Sequence, residues 1–183
     1  MSCTSLNTQN KLLLNKLMEF YGKDGNIEKI LPIINGEHNI SLRVIDWFVT
    51  NYSKKNFTQY ELKTNKRFKV YVDYKLKLKA YSKKRFDPFC RWDRITIPYN
   101  NTESIQTTLG QLNFFKWILE NKVINYIERE IETIEKDMNK RSSSSKNRKS
   151  QNNNITRKKR TELSVCAAKS IKKENVEITV NFN

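Results

Sequence analysis

The 183-residue chain is poor in several residue types on which common chemistries depend: it has one histidine, three cysteines, four glycines and three prolines. With His38 as the only imidazole, in the turn-like GEHN, a Ser-His or Cys-His pair has one candidate base and no supporting motif. Cys3, Cys90 and Cys166 are odd in number and widely separated, which is neither a disulfide framework nor a zinc spacing, so free thiols in a reducing compartment are expected. So few glycines leave no Gly-rich phosphate loop, and neither a cofactor nor a metal is expected. No apolar run approaches a membrane span, and MSCTSLNTQN lacks the basic-then-apolar pattern of a signal peptide. The expectation is a soluble protein made in the cytosol, with no membrane partner.

Negative charge is also scarce. Thirty-five Lys and Arg face 19 Asp and Glu, a net +16, which self-repels unless an anionic partner or counterions offset it. Nucleic acid or another polyanion fits that balance. Asn, Ile and Lys together supply 64 of the 183 residues, and their codons are A/T-rich, so codon drift contributes to the lysine count as well. The length suits one domain plus an appendage.

The most ordered pattern is Arg67 to Ile97, RFKVYVDYKLKLKAYSKKRFDPFCRWDRITI. Phe68, Val70, Val72, Tyr74, Leu76 and Leu78 fall on every second position, the signature of a strand half-buried on one face. Lys69, Lys75, Lys77 and Lys79 then share the opposite face, followed by Lys83, Lys84, Arg85, Arg91 and Arg94. From Lys54 to Arg94 there are 14 basic and 4 acidic residues, the density at which phosphates displace counterions. Arg85, Arg91 and Arg94 offer phosphate forks, and Phe86, Phe89 and Trp92 offer stacking faces where exposed. The competing reading is a solvated lysine face over core aromatics.

Along the rest of the chain, leucine spacing predicts a helix over residues 9–22, and ILPIING over 30–36 reads as an edge strand or turn. A helix with Ser41 as N-cap is expected over 41–54, a strand over 57–62, and a turn at 63–66 into the long strand, forming an antiparallel pair. RITIPY is a further strand, and helices follow from about Ser104 and from Lys122 to about 140. Ile124, Ile127, Ile131, Ile134 and Met138 form either a core-facing stripe or a short dimer seam. From Arg141 the composition turns polar and basic, predicting a disordered tail in which NVEITVNF alternates like a strand able to dock on a sheet edge. The expected fold is α+β: a small antiparallel sheet of three to four strands packed with helices over residues 1–140, then a disordered basic C-terminal tail, 141–183.

The first functional expectation is a non-enzymatic nucleic-acid-binding protein, DNA or RNA, holding the phosphate backbone through this basic segment. Arg157, Lys158, Lys159 and Arg160 in the tail would serve as a second contact or a nuclear import signal. A structural or protein-interaction role, as a homodimer or with another protein, is the alternative. A metal-dependent nuclease is the lesser one, resting on the acid-x-Lys triplets at Glu61 and Asp73, which the residue counts alone would produce about as often as they occur.

The phrases IDWFVTNYSKK, FDPFCR and GQLNFFKW resemble a family of small conserved proteins of nucleocytoplasmic large DNA viruses, the mimivirus-like and alga-infecting relatives. The resemblance covers about residues 40–128. It implies a setting, the infected cell's cytoplasm or the virus particle, and carries over no functional residues.

Overall fold

The computed structural model describes residues 8–62, 67–99, 103–151 and 173–175. Helix α1 (Thr8–Tyr21) stands where the leucine spacing puts it, with Leu17 and Tyr21 buried. Helix α2 (Asn26–Asn35) takes the place of the expected edge strand or turn. Ile30, Leu31, Ile33 and Ile34 are all buried, a spacing that fits one helix face. The break sits after them: Gly36, at φ 78, caps the helix, and the Glu37 N–H donates to the Pro32 carbonyl at 2.8 Å.

Helix α3 (Leu42–Trp47) is capped as expected, with Ser41 Oγ accepting from the Val44 N–H at 3.3 Å. The chain then widens into a π turn over Phe48–Tyr52 and closes as α4 (Ser53–Lys55). Two hydroxyls compete with the helical ladder here: Thr50 Oγ1 donates to the Asp46 carbonyl at 2.6 Å, and Ser53 Oγ to that of Val49 at 3.0 Å. The π turn buries Phe48, Val49 and Tyr52 on one side.

Strands β1 (Gln59–Glu61) and β2 (Arg67–Lys69) pair antiparallel with Tyr60 opposite Phe68. The expected strand does not continue beyond Lys69: residues Val70–Arg85 are helix α5. Beneath the two-residue alternation lies a second spacing, Val70, Tyr74, Leu78 and Tyr81, in steps of 4, 4 and 3. That is the stripe the fold uses, with Val70 and Tyr74 buried and Leu78 and Tyr81 partly so. Leu, Lys and Ala are good helix formers, so local propensity favours the helix as well. At Ser82 (φ 61, ψ 168) the helix breaks before a last turn.

Strands β3 (Arg94–Pro98) and β4 (Glu103–Thr108) form a hairpin, Ile97 opposite Ile105. The helix expected from Ser104 therefore begins five residues later, as α6 (Leu109–Glu120), where Thr108 Oγ1 accepts from the Gln111 N–H at 3.1 Å. Nine of the twelve α6 residues are buried, so this helix must be enclosed by others. Tyr21 of α1 donates its hydroxyl to the Leu112 carbonyl at 2.7 Å, and Trp117 donates Nε1–H to Asp73 of α5 at 2.6 Å. Phe86, Phe114 and Trp117 pack ring to ring at 5.2–5.8 Å.

Helix α7 (Val123–Gln151) runs past residue 140. Its Ile127, Ile134 and Met138 are buried and Ile124 and Ile131 partly so, which is the core-facing reading of that stripe. Trp47 Nε1–H and Lys55 Nζ both donate to Asp137, holding α3 and α4 to α7. Strand β5 (Lys173–Asn175) pairs antiparallel with β4. The architecture is thus α+β and mostly helical; its strands divide between a two-stranded and a three-stranded antiparallel sheet rather than forming one sheet. The 63–66 turn, the basic run 157–160 and all of NVEITVNF except Asn175 lie outside the described residues.

Candidate nucleic-acid interface

The helical form of residues 70–85 redistributes the lysines. Successive helix positions turn by about 100°, so Lys75 and Lys79 share a face while Lys77 stands roughly 160° from Lys75. Lys75 and Lys79 are exposed and Lys77 is half-buried. The single lysine row expected from the alternation is therefore split. Two aliphatic residues join Lys75 and Lys79 on the solvent face, Val72 at 53% and Leu76 at 60% exposure. With Tyr71 and Leu78 they line an open groove of about 520 Å³. Lys69, at the end of β2, and Lys83, just beyond the Ser82 break, are exposed too. None of Lys69, Lys75, Lys77, Lys79 and Lys83 has a carboxylate at ion-pair distance among the described residues.

The arginines behave differently. Arg91 grips Asp87 with both prongs, Nε at 2.8 Å and Nη2 at 2.6 Å, while lying 5.0 Å over the Phe89 ring. Asp87 itself is 3% exposed, so the fork answers a buried carboxylate before it can answer a phosphate. Arg94 donates to Gln106 at 3.1 Å, Arg85 to Gln9 at 3.2 Å, and Lys84 pairs with Asp93 at 3.1 Å. Phe86 and Phe89, expected as possible stacking faces, are buried at 2% and 8%; Trp92 remains 43% exposed.

The aromatic and basic segment is thus largely architecture. Its backbone is fixed by α6: Gln111 donates Nε2–H to the Pro88 carbonyl at 2.9 Å, Asn113 donates to that of Arg85 at 2.9 Å, and the Asp87 N–H donates to Gly110 at 3.2 Å. A Cβ on Gly110 would lie 3.0 Å from the Lys84 carbonyl oxygen and 3.4 Å from the Phe86 N, so a side chain here would have to push the two backbones apart by a few tenths of an ångström. Cys90 in the same segment is buried, and burial raises its thiol pKa.

A second group of titratable residues meets here. Asp46 of α3 is half-buried and its carboxylate has no hydrogen-bond partner among the described residues. Burial first, and then the charge of Asp87, push its pKa up to about 6, with Arg91 and Lys83 pulling the other way. The Tyr74 hydroxyl, pushed up to about 12 by burial and by Asp46 and Asp87, belongs to the same group. IDWF, FDPFCR and GQLNFFKW, far apart in the chain, therefore converge through Asp46, Asp87, Arg91, Gly110 and Gln111.

The acid-x-Lys premise does not survive at Asp73, because residues two apart on a helix face different ways and Asp73 accepts from Trp117. No group of three or more His, Cys, Asp and Glu suited to a metal occurs among the described residues. His38 Nδ1 accepts from the Ile40 N–H at 3.1 Å, and its Nε2 lies 3.9 Å from Glu128. Among the described residues no helix is long and apolar enough to cross a membrane.

Sequence reasoning missed Phe57, which is 86% exposed, and the half-buried Asp46. Phe57 opens FTQYEL, where it reads as the first residue of a strand. Asp46 lies inside a helical apolar pattern, and only the fold brings Asp87 near it.

The family model described as "Family of unknown function (DUF7197)" matches residues 4–182. "Uncharacterized protein L507" of Acanthamoeba polyphaga mimivirus is 43% identical over 146 residues, covering 75% of this chain and 56% of that relative. The chain thus spans little more than half the length of this relative. No solved structure matches it. With nearly the whole chain matched, and a mimivirus protein among its relatives, the chain belongs to this mimivirus-like viral family of unknown function.

Proposed function

We propose that the protein is a non-enzymatic, nucleic-acid-binding accessory protein of a large DNA virus, gripping phosphates through the exposed lysines of α5 and its flanks. The observation that carries this reading is that Lys69, Lys75, Lys79 and Lys83 are solvent-facing without an ion-pair partner among the described residues, in a chain of net +16. Arg91 and Arg94 contribute mainly through the architecture that presents them, and Arg157, Lys158, Lys159 and Arg160 of the tail add a second contact. The protein would work in the host cytoplasm or within the particle.

The test is fluorescence anisotropy with labelled DNA and RNA across a salt series. Affinity should fall steeply with salt, and Lys75→Glu with Lys79→Glu should flatten the slope of log affinity against log salt by about 1.5. A slope the double substitution leaves unchanged would remove α5 from the interface. A second reading, a protein-interaction component of the particle, is favoured by the exposure of Val72 and Leu76 between the lysines. It expects a stable oligomer or complex that survives high salt.

A further inference from the structure

Resting on that reading, we infer that the surface at the start of α5 takes single-stranded nucleic acid, with one unpaired base seated on the ring of Phe57. Phe57 is the most exposed large apolar side chain among the described residues, at 86%, and makes no ring contact with any of them. Its backbone is also costly. At φ 47 it lies in the left-handed region, which bulky side chains rarely adopt and where glycine or asparagine would be the undemanding choice. Neither packing nor backbone preference accounts for a phenylalanine at this turn; presentation of the ring to a ligand does.

The surroundings define the ligand. The Thr58 carbonyl accepts from the Val70 N–H at 3.2 Å, and Gln59 lies opposite Lys69, so the Phe57 turn stands at the N-terminal end of α5. Lys54, in α4, places its ammonium 5.7 Å from the centre of the Tyr71 ring on the first turn of α5. From there the groove of Tyr71, Val72, Lys75, Leu76 and Lys79 continues along the helix. The ligand must therefore bring flat apolar faces and closely spaced negative charges together. A duplex keeps its base faces stacked inside and would reach only the lysines. An unpaired strand offers a base face and a phosphate at every nucleotide, the pairing that aromatic and cationic platforms recognise.

The experiment uses the full chain, wild type, Phe57→Ala and Phe57→Trp, with a labelled single-stranded 20-mer, its duplex, and polyglutamate as competitor. Thermal melts of all three proteins establish folding, and Phe57→Trp keeps the test decisive if the alanine form unfolds. Expected are a wild-type preference for the single strand, about tenfold loss of that affinity in Phe57→Ala with duplex affinity unchanged, and retention in Phe57→Trp. Equal wild-type affinity for strand and duplex, indifferent to Phe57, overturns the inference and leaves nucleic-acid binding standing. Absence of binding to either overturns both. Displacement by polyglutamate at matched charge, with Phe57→Ala weakening both ligands alike, overturns it in favour of an acidic protein partner.

Discussion

Asp46 is the residue whose protonation the fold alters most usefully for experiment. Its folded pKa of about 6 lies above the ordinary carboxylate value of 3.8, so the folded state favours the neutral acid. Below about pH 4 both folded and unfolded chains are protonated at this site and it contributes nothing to pH dependence. As pH rises towards 6 the unfolded chain ionises first, and the folded state loses stability on the order of 3 kcal/mol, a loss complete above the folded pKa. Asp46→Asn removes this term. In chemical denaturation the asparagine variant should gain on the wild type between pH 4 and pH 6.5 and hold a constant lead above that; a difference independent of pH would deny the shift. Nothing about Asp46 in the sequence announces this. Its neighbours Asp87, Arg91 and Lys83 come from 37 to 45 positions away, and proximity across the fold is what a linear reading lacks.

Among the elements, α5 and α6 teach opposite lessons. The LKLK alternation of α5 satisfies a strand as well as a helix; what decided between them was which residues α6 could cover, a tertiary condition that period and propensity do not contain. Similarly, ESIQTT preceding α6 carries Ile105 and Thr107 on its buried side and became a strand because β3 lay ready to pair with it. By contrast, α1, the capped helix at Ser41, the β3 strand and the α7 stripe were legible from spacing and capping alone. The α5–α6 contact depends on Gly110. Replacing it with alanine forces its Cβ against the Lys84 carbonyl and the Phe86 N–H, both backbone atoms that cannot swing aside. Gly110→Ala is expected to lower stability by about 2 kcal/mol, read as an earlier urea midpoint with unchanged slope. Full retention of stability would mean that the two segments separate at little cost.

For the molecule as a whole, the sequence made its charge plain and left its placement open. Residues 1–140 and 141–183 each carry a net +8, by 24 basic against 16 acidic and 11 against 3. In the described part, Lys84, Arg85, Arg91 and Arg94 are engaged by side chains of the fold, while Lys69, Lys75, Lys79 and Lys83 face solvent with no ion-pair partner among the described residues. That segment also holds Cys90, 3% exposed and with its thiol pKa raised by burial. Only the thiolate reacts with an alkylating reagent, so Cys90 can be modified only when the Phe86–Arg91 segment lifts away from α6. In a variant with Cys3 and Cys166 replaced by serine, iodoacetamide uptake should run at least a hundredfold slower than in the unfolded chain, and Gly110→Ala should accelerate it. The buried sulfur is then a stopwatch: its labelling half-life measures how often this protein opens at the place where its three distant sequence phrases are joined.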